Sequence, residues 1–122
     1  MIAAEDYNAW LRISKVSNKF KYINKALGFY YINHGISSDR DMSKPTKVAM
    51  NEFINDLENE ENREVFFKLS YMSGIFNLTK YNFNVSIKKL KISSSSSNLK
   101  VKIKSYAIII LIYFLILFRL NK

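Results

Sequence analysis

The sequence predicts an all-α chain: a small helical bundle of about three helices, then a flexible basic linker, then one C-terminal transmembrane helix. Three observations carry this. Apolar residues recur at helical spacing through the first third of the chain. Residues 106–118 form an unbroken apolar run. The charge divides sharply between the two parts. Residues 1–79 hold ten acidic and ten basic residues, which cancel, whereas residues 80–122 hold nine basic residues and no acidic one and so account for the whole net charge of +9. A neutral head and a basic tail follow, and a basic tail seeks an anionic surface, lipid or nucleic acid. The apolar run beside it favours lipid over nucleic acid.

The first element rests on Ala9, Ile13, Val16, Phe20, Ile23, Leu27, Tyr30 and His34, which fall at alternating spacings of four and three. That is one face of a helix over about three and a half heptads. The reading is a helix from about residue 4 to about 27, with Glu5 and Asp6 suited to its N-terminal dipole and Gly28 at its end. Ile13, Val16, Phe20, Ile23 and Leu27 are its candidate helix-packing face, either for the bundle core or for a homodimer seam. Residues 36–44 read as a polar loop. Ser43 is placed to cap a second helix with Pro45 in its first turn and Val48, Ala49, Phe53, Ile54 and Leu57 on its apolar side. Val65, Phe66, Leu69, Met72 and Phe76 mark a third helix to about residue 73, capped by Gly74. The head is therefore residues 1–76. With roughly 80 residues or fewer to fold, a domain of this size buries only about 60–65% of its unfolded surface.

Residues 77–104 read as a basic linker. Phe83, Val85 and Ile87 alternate with Asn84 and Ser86 in a short strand pattern, and residues 93–97 are five consecutive serines. Lys88, Lys89, Lys91, Lys100, Lys102 and Lys104, with Arg119 beyond the apolar run, are the candidate lipid-surface residues. Phosphorylation of the serines would oppose their attraction to an anionic leaflet. The plainer role is a solvated spacer.

Residues 105–120 are the candidate transmembrane segment, with Tyr106, Ile109, Leu111, Phe114, Leu117 and Phe118 as its membrane-spanning residues. A helix apolar on every side belongs in a large core or in lipid. From Ile103 to Leu120 it would reach about 27 Å at about 1.5 Å per residue. That is slightly short of a hydrocarbon core of about 30 Å and calls for thinning or snorkelling by Lys104, Arg119 and Lys122. An interfacial segment and a core strand are the other readings of the run. The excess of lysine before Tyr106 places the N-terminal head in the cytosol by the positive-inside rule. Met1 to Trp10 carries Glu5 and Asp6 and no apolar stretch, so no signal peptide is expected there. This layout resembles a tail-anchored protein of the endoplasmic reticulum or mitochondrial outer membrane, its cytosolic head acting as a binding or adaptor module. The expected partners are membrane lipid, an unidentified protein and a second copy of the chain, with no nucleic acid favoured. A second reading stays open. Residues 80–122 draw on only ten residue types, mostly with A/T-rich codons. The chain would then be a truncated or read-through fragment of a larger soluble protein, an enzyme without its catalytic site.

Chemistry-bearing constellations are sparse. With no cysteine, neither a disulfide framework nor a thiolate metal site can form. Gly28, Gly35 and Gly74 are too scattered for a phosphate-binding loop. His34 is the lone histidine, with Ser37, Ser38, Asp39, Asp41 and Ser43 near it in sequence. A helix-end or core role suits it better than that of a catalytic base. Asp39 and Asp41 could face a cation, but the spacing of a calcium loop is absent. Glu58, Glu60, Glu61 and Glu64 read as exposed charge, with Glu64 four residues before Lys68 as a helix-surface pair. No catalytic residue, metal ligand or cofactor is assigned. Leu27-Gly28-Phe29-Tyr30-Tyr31-Ile32-Asn33-His34-Gly35-Ile36 resembles the N-terminal strand of 2-oxoglutarate/iron-dependent oxygenases, one residue short between its aromatic and Asn-His-Gly parts. The resemblance implies at most a fragment of such an enzyme, because a single histidine cannot supply that family's iron ligands.

Overall fold

The computed structural model describes residues 4–29, 39–54 and 56–120, with the side chains of residues 119 and 120 excepted. His34, Ser37, Ser38 and most of the oxygenase-like stretch lie outside these residues. The described chain is all-helical and contains five helices: α1 (Glu5–Val16), α2 (Ser43–Ile54), α3 (Asn59–Thr79), α4 (Phe83–Ser93) and α5 (Leu99–Leu120). The helical class agrees with the sequence, but the head and linker together hold four helices before the C-terminal one.

α1 is half the expected length. It ends at Val16, and Ser17 turns to an extended conformation (φ −149°, ψ 132°). The residues that follow explain the stop. Ser17 accepts a hydrogen bond from the Lys19 amide at 3.2 Å, a local bond that competes with the helical ladder. Val16, Ser17 and Asn18 are also poor helix formers. Phe20, Ile23 and Leu27 therefore lie beyond the helix, and the continuous heptad face is not built. Moreover, α1 meets α2 with a neighbouring side of the helix, one residue round from the predicted face. Ala4 and Asn8 are buried, and Asn8 Nδ2 donates to the Ala49 carbonyl at 2.8 Å. Arg12 pairs with Glu52 at 2.9 Å, and Lys15 pairs with Asp56. Trp10, Ile13 and Val16 point away, Val16 being 86% exposed.

Of the predicted apolar side of α2, Ala49 and Phe53 are buried, whereas Val48 is exposed. Its first turn is capped by Asp41 rather than Ser43: Asp41 Oδ1 accepts from the Ser43 amide at 3.0 Å, and Asp41 Oδ2 accepts from Ser73 Oγ at 2.7 Å. Asp41 thus ties the start of α2 to the middle of α3. α3 opens on a capping box between Glu58 and Glu61, which satisfies two otherwise orphan amides. It runs five residues past Gly74, to Thr79. Gly74 is no cap. It is the point where α4 crosses α3, and a Cβ there would meet Leu90 Cγ at 2.8 Å.

Residues 83–87 are helical, which corrects the strand reading. Over five residues, alternation and helical spacing overlap. The longer register decides the matter: Ser86, Leu90 and Ser93 recur at i, i+4 and i+7 and are the buried face of α4. Polar serines at two of those three positions hid the stripe from a hydrophobicity reading. Residues 80–82 turn the chain between α3 and α4, with Tyr81 in the left-handed region (φ 59°). α3, α4 and α5 then run up, down and up, with α4 against both neighbours.

Candidate functional site

α5 is the feature on which a function can be built. An 18-residue window within residues 99–118 has a mean hydropathy of 2.2. The helix from Leu99 to Phe118 reaches about 30 Å at about 1.5 Å per residue, but the apolar stretch beyond Lys104 reaches only about 21 Å. That is short of a hydrocarbon core of about 30 Å unless the bilayer thins. Leu99 begins the helix four residues before the point the apolar pattern suggested. Asn98 explains the earlier start: its Oδ1 accepts from the amides of Lys100 and Val101 at 3.1 and 3.3 Å, an N-cap that satisfies orphan donors.

One side of α5 is covered. Ser105, Ile109 and Ile112 are buried, Ile112 completely. Ile109 and Ile112 form the core with Leu90 of α4, and Tyr71, Leu78, Phe83, Ile87, Ile108 and Ile116 pack around it. The remainder of α5 is bare. Of the sequence-assigned spanning residues, Tyr106, Leu111, Phe114, Leu117 and Phe118 are exposed, Phe118 by 69%, together with Ile110 and Leu115, whereas Ile109 faces α4. A contiguous apolar surface of this kind marks contact with a membrane or another protein.

Small residues and hydroxyls hold α4 to α3 on one side and to α5 on the other. Ser86 Oγ donates to the Gly74 carbonyl at 2.8 Å. The hydroxyls of Ser93 and Ser105 lie 2.7 Å apart across the α4–α5 interface. One donates to the other, and the second is left to donate to a carbonyl of its own helix, Leu90 for Ser93 or Val101 for Ser105.

The serine run is a structured turn. Ser93, Ser94 and Ser96 are buried, and Ser95 and Ser97 face solvent. Glu64 of α3 closes the turn from below. Its Oε2 accepts from Ser96 Oγ at 2.5 Å and its Oε1 from the Ser97 amide at 2.6 Å. The Ser96 hydroxyl and then the Ser97 amide hold the Glu64 carboxyl below its ordinary value. Glu64 thus turns to the serine turn, where spacing alone had paired it with Lys68. Asp41 is also lowered. Burial works against its charge, but the Ser43 and Ser73 hydroxyls and the Ser43 amide outweigh that.

Of the candidate lipid-surface lysines, Lys88, Lys91, Lys100, Lys102 and Lys104 are exposed and Lys89 is half-buried. Lys100, Lys102 and Lys104 occupy the first two turns of α5, and no acidic residue offsets them there. Cations at a helix N-terminus oppose the helix dipole, so these positions do not serve the stability of α5 itself. Among the described residues, no group of acidic or histidine side chains could hold a metal ion. Asp39 reaches Lys80 at 3.5 Å, and Asp41 serves as cap and tie. No family model, curated protein or solved structure matches the chain.

Proposed function

We propose that this chain is a membrane-anchored binding module. α5 enters the bilayer as a single C-terminal span, and α1 to α3 form a cytosolic head that engages a protein partner. The single observation carrying this reading is the bare apolar surface of α5 from Tyr106 to Phe118. The rest of the chain is too small to wrap it. Lys100, Lys102 and Lys104 at the start of α5 match the anionic headgroups of a cytosolic leaflet, each worth about 1 kcal/mol near the surface. The lysine excess on that side orients the head toward the cytosol. A short anchor with basic flanks suits the endoplasmic reticulum or the outer mitochondrial membrane.

The test is alkaline carbonate extraction of membranes from cells expressing the full chain, beside a version ending at Lys104. The full chain stays in the pellet and the shortened one is released. Release of both overturns the anchor. It favours the second reading, in which the bare face of α5 is covered by the remainder of a larger soluble protein.

A further inference from the structure

The anchor proposed above conflicts with the helix packed against it. α4 runs antiparallel to α5, with Ser93 at Ser105 near one end and Phe83 and Ile116 in one core at the other. α4 therefore lies beside residues 105–116, the stretch that would occupy the hydrocarbon core. α4 carries Lys88, Lys89 and Lys91, two of them exposed and one half-buried, and α3 behind it carries Glu64 and Lys68. If α5 spanned with α4 in place, these lysines would be drawn to bilayer depth without acidic partners on α4. Ionisable side chains at that depth are strongly disfavoured.

The interface also has the features of a contact that can open. It is a single seam, with Leu90 and Ile112 at its centre and the Ser93–Ser105 hydroxyl pair at its edge. Both serines have a second acceptor on their own helix, the Leu90 and Val101 carbonyls. Separation therefore leaves neither hydroxyl unsatisfied, even in lipid. Lipid can replace Leu90 as the neighbour of Ile109 and Ile112 without loss of apolar contact.

We infer that the α4–α5 hairpin stores the anchor: α5 is held along α4 before insertion and leaves it to span the bilayer. This rests on the membrane reading of α5 and adds the step by which the span is reached. α3 and α4 stay together through Gly74, Leu90 and Ser86, and their lysines remain at the headgroups beside Lys100, Lys102 and Lys104.

The absence of native cysteine makes a direct test available. The full chain carrying Ser93→Cys and Ser105→Cys, with an epitope added at its C-terminus, is purified oxidised and reduced. The two hydroxyls are close enough for their replacements to bridge. Each form is mixed with vesicles of equal parts phosphatidylcholine and phosphatidylserine. Carbonate resistance and protection of the epitope from external protease are then read. The reduced form resists carbonate and protects its epitope. The oxidised form loses both, falling to the level of a chain ending at Lys104, and reducing agent restores them. If both forms resist carbonate and protect the epitope, α4 need not leave, and the stored-anchor inference fails while the anchor stands. If both resist carbonate with the epitope exposed, α5 lies in the membrane plane with α4 on top, and the inference fails. If the reduced form is extracted, the anchor reading itself fails and the inference with it. Leu90→Ala supplies a measurement free of cross-linking: loosening the seam makes insertion faster than in the native chain, and an unchanged or slower rate overturns the inference.

Discussion

The two ends of the chain place their apolar surface very differently. At the N-terminal end, α1 meets α2 through Asn8, Arg12 and Lys15 and leaves Trp10, Ile13 and Val16 outside. At the C-terminal end, α3, α4 and α5 meet through Gly74, Leu90, Ile112 and hydroxyls bonded across the seam. Only the second arrangement removes large side chains completely from solvent. The difference teaches that heptad spacing is no guarantee of a core. A contact built from small residues brings backbones close and buries what lies beside them. One completed by long charged side chains, as at Arg12–Glu52 and Lys15–Asp56, leaves the neighbouring apolar side chains exposed.

The comparison breaks most readily at Leu90, which is wholly buried. Leu90→Ala costs about 2–5 kcal/mol of stability, measured by guanidinium unfolding of the full chain in mild detergent. A loss no greater than that of an exposed-site control such as Val16→Ala would mean that α3 to α5 are no better packed than α1 and α2. Next is Gly74→Val, which forces side-chain atoms into the space of Leu90 and costs about 1–3 kcal/mol. Gly28, with nothing within 4 Å of its would-be Cβ, is the matched control, and Gly28→Val leaves the unfolding midpoint in place. Ser93→Ala removes the hydroxyl pair with Ser105 and costs about 1 kcal/mol, less than either change at the Gly74–Leu90 crossing. Arg12→Ala breaks a pair whose side chains are both more than half exposed, so its cost is about 0.2–1 kcal/mol and shrinks in high salt.

The smallest effect is a pH dependence. Glu64 and Asp41 titrate below their ordinary values of 4.5 and 3.8, so the fold favours their charged forms. Their contribution is complete above those ordinary values and is lost as pH falls through the lower folded ones. Glu64→Gln therefore lowers stability above 4.5, where the native contribution is complete, and flattens the acid side of the curve, variant and native chain converging as pH falls. An unchanged acid slope would show that the Glu64 bonds to the serine turn do not persist in solution.

The legible part of this protein was whatever a local pattern could state without a partner. The helical class, the α2 stripe of Ala49 and Phe53, and the apolar C-terminal helix all follow from spacing and composition. α4 was missed because its buried face is Ser86, Leu90 and Ser93, and serine signals burial only when another helix supplies its hydrogen-bond partner. The serine run read as flexible for the same reason: Glu64, about thirty positions away, makes it a turn. Gly74 looked like a stop because glycine ends helices more often than it allows one helix to cross another. The stripe of Ile13, Val16 and Leu27 showed the opposite failure, a pattern strong enough to predict a face but with no surface in the described chain to receive it.

By itself, the sequence determined the apolar length of α5, the lysines at its start and the absence of any thiol or multi-histidine chemistry, because these are properties of residues in order. Tertiary structure alone decided that α4 exists, that Gly74 is a crossing point and that Glu64 binds the serine turn. Each depends on which atoms meet across tens of residues. Close approach and hydroxyl pairing have no period along the chain, and they emerge only when helices stand side by side.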